Sequence, residues 1–201
     1  MEVMYRRKDP YYRQAKTEGY RSRAAYKLLQ IARKERVVGR GDRVVDAGAA
    51  PGGWSQVLLE LAGEEGKVAA VDILPMEPLP GKNFLFFHDD LSLPSLPARI
   101  LEFFGRKADA VVSDAAPNTT GIAFTDQARS ADLVRAVLSL ARRTLKDGGT
   151  FLAKIFEGAE ADAVVREMQA EFERVRRIRP AATRKESFEL YLLAKGFRKP
   201  S

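Results

Sequence analysis

Short apolar runs alternate with longer amphipathic stretches through the middle of the chain. Arg43–Gly48, Lys67–Ile73, Asn83–Asp89, Ala108–Ala115 and Thr150–Phe156 are each rich in Val, Ile, Leu or Phe and read as strands. Between them, Trp54–Ala62, Leu96–Phe104, Gln127–Leu145 and Ala159–Phe172 read as helices. Strands apolar on both faces, separated by helices, predict an α/β fold in which a mostly parallel sheet carries helices on both sides. Turn signals fall between these elements: Gly39-Arg40-Gly41-Asp42, Gly63 to Gly66, and Asp147-Gly148-Gly149 before Thr150. A further strand around Val175–Arg179 meets Glu189–Phe197 through Arg179-Pro180-Ala181-Ala182-Thr183-Arg184-Lys185, which has no helical pattern. The seventh and last strand is therefore expected to return antiparallel.

Two helices precede the sheet, around Tyr11–Glu18 and Ser22–Glu35, and Ser22 is placed to cap the second. Ala25, Leu28, Leu29 and Ala32 share one face of that helix; Lys27 points away beside Arg23 and Lys34, as a solvated lysine does. No repeat or low-complexity linker interrupts the chain. Residues 1–201 read as one domain, with a basic helical extension over 1–40 and a Rossmann-like core over 41–201.

Composition narrows the chemistry. The 201 residues include no cysteine and one histidine, His88, so thiolate metal sites, cysteine nucleophiles and mechanisms built on several histidines are excluded. No metal is expected. No run approaches the roughly 20 apolar residues of a spanning helix, and Met1 to Lys8 opens no apolar leader, so a cytoplasmic protein with no membrane attachment is expected; it is expected to be a monomer. Charge is unevenly spread: residues 1–40 hold 12 Lys/Arg against 4 Asp/Glu, residues 174–201 hold 9 against 2, and the stretch between holds 13 against 21. Five of the six tyrosines (Tyr5, Tyr11, Tyr12, Tyr20, Tyr26) lie among the amino-terminal cations. Aromatic rings interleaved with cations suit an RNA surface, with Arg21, Arg23, Arg184 and Lys185 as phosphate partners.

The most informative segment is Asp46-Ala47-Gly48-Ala49-Ala50-Pro51-Gly52-Gly53-Trp54, a strand running through a glycine-rich turn into a helix. No Gly-Lys-Ser/Thr follows, and the glycines at 48, 52 and 53 miss the G-x-G-x-x-G spacing, so nucleotide-triphosphate and dinucleotide fingerprints are both absent. An aspartate two residues before the first glycine suits a ligand with an amino-acid end, such as S-adenosylmethionine. Asp72 ends the second strand, where it can accept hydrogen bonds from ribose hydroxyls. Asp89 and Asp90 close the third, near where an adenine amino group would lie; they also suit a helix cap before Pro94. Asp114 ends the fourth strand in Ser113-Asp114-Ala115-Ala116-Pro117-Asn118, without the Pro-Pro-aromatic sequence of enzymes that methylate exocyclic amines. Lys154 interrupts an otherwise apolar strand, and burying a lysine costs several kcal/mol unless it is paired. Glu189 is the polar exception in Phe188-Glu189-Leu190-Tyr191-Leu192-Leu193. The antiparallel last strand separates methyltransferase-type sheets from dinucleotide-type ones.

These segments, together with Tyr20-Arg21-Ser22-Arg23-Ala24-Ala25-Tyr26-Lys27-Leu28 and Ser187-Phe188-Glu189-Leu190-Tyr191, resemble the FtsJ/RrmJ family over nearly the whole chain. That family comprises S-adenosylmethionine-dependent RNA ribose 2′-O-methyltransferases. The resemblance implies a Lys-Asp-Lys-Glu catalytic tetrad at Lys27, Asp114, Lys154 and Glu189. It implies cofactor contacts at Gly52, Trp54, Asp72, Asp114 and one of Asp89 and Asp90, to which the turn geometry adds Gly48 and Gly53. Of the doubled pair, Asp90 is preferred because an apolar residue follows it; Glu186 lies out of the Ser-x-Glu-x-Tyr register. A ribose hydroxyl is a weak acid and needs a base within hydrogen-bond reach. The residues alone leave Lys154 and Asp114 as candidates; the resemblance implies Lys154, with Asp114 orienting it and Lys27 and Glu189 holding the ribose. The implied substrate is a uridine ribose in large-subunit (23S) ribosomal RNA, free or in the subunit. A 2′-O-methyltransferase of transfer RNA or of a messenger cap, or a non-catalytic RNA-binding assembly factor, shares part of the pattern.

Overall fold

The computed structural model describes residues 9–184 and 186–198; Tyr5 and Lys185, both expected to face RNA, lie outside them. Seven strands, β1 (Arg43–Ala47), β2 (Lys67–Asp72), β3 (Phe84–His88), β4 (Ala108–Ser113), β5 (Leu145–Phe156), β6 (Phe172–Ile178) and β7 (Glu189–Phe197), form one sheet in the order β3-β2-β1-β4-β5-β7-β6. Only β7 runs opposite to its neighbours. Among the described residues there are six helices: α1 (Pro10–Glu18), α2 (Ala25–Lys34), α3 (Gly53–Ala62), α4 (Leu96–Phe104), α5 (Ala123–Thr144) and α6 (Ala159–Gln169). Alternate residues of the central strands feed two cores. Val45, Ala47 and Val111 pack under α4, α5 and α6, whereas Val44, Ala110 and Val112 pack under α2 and α3. The sheet therefore carries helices on both faces, as its doubly apolar strands require.

Several boundaries differ from the sequence pattern. The Asp147-Gly148-Gly149 turn is absorbed into β5 as an irregularity, because the register against β4 shifts between the pairs Ala108–Leu145 and Ala110–Thr150. Phe172 belongs to β6 rather than to the preceding helix: it pairs with Phe197, their rings are 5.2 Å apart, and the Phe151 ring packs at 6.1 Å. Ser22 does not cap α2. The helix opens at Ala25 with no side-chain cap, and a Cβ on Gly53 would stand 2.3 Å from Ser22 Oγ, so Ser22 is committed to the contact with α3.

The amino-terminal tyrosines are also placed differently from the expectation. Tyr11 and Tyr20 pack their rings on Tyr26 at 5.5 and 5.7 Å, closing a small core with Ala15 and Ala182. The Tyr26 hydroxyl donates to Glu18 Oε2 at 2.7 Å, and the Tyr20 hydroxyl to Glu60 Oε2 at 2.9 Å. Tyr12 alone of these four is exposed. Asp9 caps α1 by accepting the Tyr11 and Tyr12 N–H groups, and its other oxygen pairs with Arg23 at 2.5 Å and Arg184 at 3.6 Å. Arg23 also donates to the Ala182 carbonyl, so its guanidinium fastens the two basic ends to each other. Arg21 is similarly engaged with the Pro51 and Glu77 carbonyls.

Candidate active site

The glycine-rich turn after β1 is tied to the end of β2. The Gly48 and Ala49 N–H groups both donate to the Val71 carbonyl, at 2.8 and 3.1 Å. Asp72 accepts the Ala50 N–H on Oδ2 at 2.9 Å and the Leu74 N–H on Oδ1 at 2.8 Å, which fixes its carboxylate at the strand end. Here the strand order reverses between β1 and β4, the point at which open α/β sheets bind ligands. A cavity of about 560 Å³ opens there, within the roughly 300–1,000 Å³ usual for small-molecule sites. Gly48, Asp72, Asp90 and Asp114 line it, and Ile73, Leu74 and Leu91 give it an apolar wall. Gly48 has φ +75°, and a Cβ on it would lie 2.4 Å from that of Ala115, so a glycine is needed for the two turns to come this close. Beneath the turn, buried Asp46 accepts the Ser55 hydroxyl on Oδ2 at 2.6 Å, while Oδ1 has no partner among the described residues. Carboxylates that can take an ammonium group and ribose hydroxyls, beside aliphatic side chains that can cover an adenine, are a donor set that fits S-adenosylmethionine.

Past Asp114 the cavity wall becomes a cluster of charges. Lys154, near the carboxyl end of β5, places Nζ 2.7 Å from the Asp114 carbonyl, 3.2 Å from Asp114 Oδ1 and 3.5 Å from Glu189 Oε1. Lys27 donates to Glu189 Oε2 at 2.9 Å and lies 4.0 Å from Asp114 Oδ1. Lys27 is thus buried, contrary to its solvated place on the helical wheel, because α2 packs on β7 as well as on the sheet core. Burial alone would raise the Glu189 carboxyl, but the Lys154 and Lys27 ammonium groups outweigh it and bring it down to about 2. Tyr191, two residues along β7 and so on the same face, donates its hydroxyl to Asp114 Oδ1 at 2.5 Å. Burial first, and then the Asp114 charge, hold that phenol well above its usual range. On the far side of the cluster lie two more cavities. One, of about 590 Å³, is lined by Arg23, Lys27, Arg184 and Glu189; the other, of about 370 Å³, by Gln127, Phe156, Phe188 and Glu189.

The four side chains of the expected tetrad therefore meet, brought from α2, the end of β4, β5 and the start of β7. Of the expected cofactor residues, Gly48, Asp72, Asp90 and Asp114 line the inner cavity. Gly52, Gly53, Trp54 and Asp89 do not. A Cβ on Gly52 would stand 3.0 Å from Arg21 Nη1, and Trp54 is buried with its Nε1–H donating to the Ala24 carbonyl at 2.9 Å. Both serve the seam between α3 and the segment before α2. Asp89 pairs with Arg99 at 2.6 Å; Asp90 accepts the Ser92 N–H and hydroxyl at 2.8 and 2.7 Å while staying on the cavity wall. Tyr191 has no role in the sequence reading. Its signal was there in the i, i+2 spacing from Glu189, which puts both side chains on one face of a strand.

The profile of the FtsJ-like methyltransferase family matches residues 20–197. The ribosomal RNA large subunit methyltransferase E of Methanothermobacter thermautotrophicus is 46% identical over 193 residues, covering 96% of this chain and 92% of its own. The enzyme of that name from Rhodopseudomonas palustris is 49% identical, covering 94% and 81%. The crystal structure of a Plasmodium falciparum ribosomal RNA methyltransferase aligns with TM-score 0.80 at 27% identity, over 90% of this chain and all of that one. Aeropyrum pernix fibrillarin, solved with natively bound S-adenosylmethionine, aligns with TM-score 0.60 at 18% identity over 87% and 75% of the two chains and shares the fold. The chain belongs to the FtsJ-like methyltransferase family, whose methyl donor is S-adenosylmethionine.

Asp46 gives the site a measurable signature. Burial pushes its carboxyl up to about 7; the Ser55 hydroxyl opposes this, and the Asp114 and Asp72 charges add to it. An unfolded aspartate ionises near pH 3.9. Between roughly pH 4 and pH 7 the folded chain therefore holds a proton that the unfolded chain has lost, and stability falls as pH rises through that window. Asp46→Asn can still accept the Ser55 hydroxyl and has no charge to bury. The variant should match the wild type near pH 4 and exceed it above pH 7, by up to about 4 kcal/mol. Thermal melts across pH test this, and parallel profiles for the two proteins would remove Asp46 as the cause.

Proposed function

We propose that this methyltransferase transfers the methyl group of S-adenosylmethionine to a ribose 2′-hydroxyl of large-subunit ribosomal RNA, at a uridine, and that it works as a cytoplasmic monomer in a single domain. The names of the curated relatives support the RNA class. One observation carries the chemistry. Asp114 lines the inner cavity, while Lys27 and Glu189, in the same charge cluster, line the outer one. Asp114, Lys27 and Glu189 thus stand between a donor site and an acceptor site, with Lys154 paired among them. No helix among the described residues is long and apolar enough to cross a membrane.

Asp72 would hold the ribose of the cofactor, Asp90 its adenine, and Gly48 with Asp114 its amino-acid end; Gly52, Gly53 and Trp54 shape the turn that supports them. Bound there, S-adenosylmethionine supplies an electrophilic methyl group. Lys27 and Glu189 position the ribose across the wall. Lys154, acting as the neutral amine, takes the proton that leaves the 2′-hydroxyl as the oxygen–carbon bond forms and the carbon–sulfur bond breaks. Asp114, fixed by the Tyr191 hydroxyl, keeps the Lys154 nitrogen aimed at the sugar. Much of the rate then comes from in-line positioning across a rigid wall.

Asp72→Ala should weaken S-adenosylmethionine binding by roughly 1.5–3 kcal/mol, the loss of charge-assisted bonds to two hydroxyls. Calorimetric titration measures it, and unchanged affinity in a folded variant would move the cofactor elsewhere. Lys154→Ala should keep cofactor and RNA binding but lose about 10²–10⁴-fold in methyl transfer, as removal of an acid–base group does. Lys154→Arg should be equally inactive, since guanidinium keeps its proton. Turnover by the arginine variant would leave residue 154 as a positive charge only and pass the base role to Asp114 or water. Mapping 2′-O-methyl sites in RNA from cells with and without the gene decides the substrate.

The basic ends should make RNA affinity fall steeply with salt. Arg21 and Arg23 are held by the protein itself, so the exposed cations of α1 are the ones to remove. Replacing Arg13 and Lys16 with glutamine should reduce the log–log salt slope by about 0.7–0.9 for each phosphate no longer neutralised, with cofactor affinity unchanged. An unaltered slope would return these cations to an ordinary solvated surface.

A further inference from the structure

We propose that the outer cavity beside Phe188 receives the base of the nucleotide being methylated, so that the substrate nucleotide must be unstacked when it reacts. The proposal rests on the tetrad being the ribose site. The two outer cavities share Glu186, Ser187 and Glu189, and both therefore open directly onto the tetrad. Their electrostatics differ. The first sets three cations, Arg23, Lys27 and Arg184, against the shared Glu186 and Glu189; the second has no cation and adds Asp126 to that pair. A nucleotide spanning the pair has one placement that satisfies both: phosphate on the cationic side, uncharged base on the other.

The second cavity is furnished for a base. Phe188 is 74% exposed, so burial does not account for a phenylalanine at this position. Its backbone is pinned at the mouth of β7, because its carbonyl accepts the Glu157 N–H at 2.8 Å, while the ring stands free as a platform. Across the cavity, the Gln127 side chain lies against Gly158, where a Cβ would come within 2.3 Å of Gln127 Oε1. Its amide has no hydrogen-bond partner among the described residues and offers one donating and one accepting group, which matches the edge of a nucleobase. Asp126 is not available to a ligand in the same way: its oxygens already accept the Thr120 N–H and hydroxyl and the Gly121 N–H. Ile122 and Phe124, exposed by 63% and 76%, extend the apolar rim next to Gly121 and Ala123. Among the described amino-terminal tyrosines Tyr26 is buried and Tyr11 and Tyr20 are half-buried, whereas Phe124 and Phe188 are exposed.

The test uses the full chain with Phe188→Ala and Phe188→Tyr. In binding assays with a single-stranded uridine decamer and the same decamer paired in a duplex, the wild type should prefer the single strand. Phe188→Ala should lose that preference and bind the single strand roughly 5- to 150-fold more weakly, the effect of one base–aromatic stack. Phe188→Tyr should retain it, and S-adenosylmethionine affinity should stay the same in all three proteins. In methyl-transfer assays on unmethylated large subunits the alanine variant should raise KM by a similar factor. An unchanged preference together with unchanged KM overturns the base site and leaves the exposed phenylalanine as a docking point for a protein. If the single-strand effect is present but no chain methylates ribosomal RNA, the base site stands and the proposed reaction falls.

Discussion

A lysine cannot be buried near the end of a β-strand unless carboxylates are buried with it. Lys154 is 7% exposed, and leaving it unpaired would cost several kcal/mol. Its partners come from far along the chain: Asp114 from the neighbouring strand, and Glu189 from β7. Glu189 in turn brings in Lys27, which neutralises the second carboxylate. The amino-terminal helices are thus bound to the sheet by charge compensation as well as by the apolar face of α2. Each of the four groups makes the burial of the others tolerable, and removing any one leaves an uncompensated charge.

The same constraint explains the reversed strand. Glu189 opens β7 and pairs with Phe156, which closes β5. In an antiparallel pair the start of one strand lies beside the end of the other, so Glu189 arrives at the carboxyl edge of the sheet, where Asp114 and Lys154 already are. A parallel β7 would deliver its first residue to the opposite edge, a strand length away. The reversal also sets Tyr191 against Lys154 in register, which is how its hydroxyl reaches Asp114.

Much of this was legible in the sequence because it lies in strands. An apolar run with one charged exception, as at Lys154 and Glu189, announces a group that must be paired, and a carboxylate at the end of a parallel strand announces the ligand crevice. The losses came where a residue answers to two neighbours. A helical wheel for α2 knows one buried face, set by Ala25 and Leu28; the second, where Lys27 meets Glu189, exists only once β7 is in place. Tyr20 and Tyr26 looked like a stacking surface because tyrosine near cations often is one, yet each hydroxyl has a glutamate partner that sequence distance conceals. Arg23 read as a free phosphate ligand and is instead held by Asp9 and Ala182. Trp54, implied by the resemblance as a cofactor contact, is buried and packs on Tyr191 at 5.8 Å.

The uneven charge of the chain takes on a spatial meaning around the tetrad. Acidic residues of the middle segment gather inside the sheet's carboxyl edge, where Asp72, Asp90 and Asp114 line one cavity. That field suits a donor carrying both an ammonium and a sulfonium charge. The two basic ends converge on the other side, because Asp9 ties Arg23 to Arg184 and so brings α1, α2 and the segment before β7 together. On the proposed reading that field suits a polyanion. A cationic donor and an anionic acceptor repel or attract the same surface with opposite sign, so one open cleft could not favour both. On the proposed reading, Lys27, Lys154, Asp114 and Glu189 stand between the two partners, so that each meets a field of the right sign.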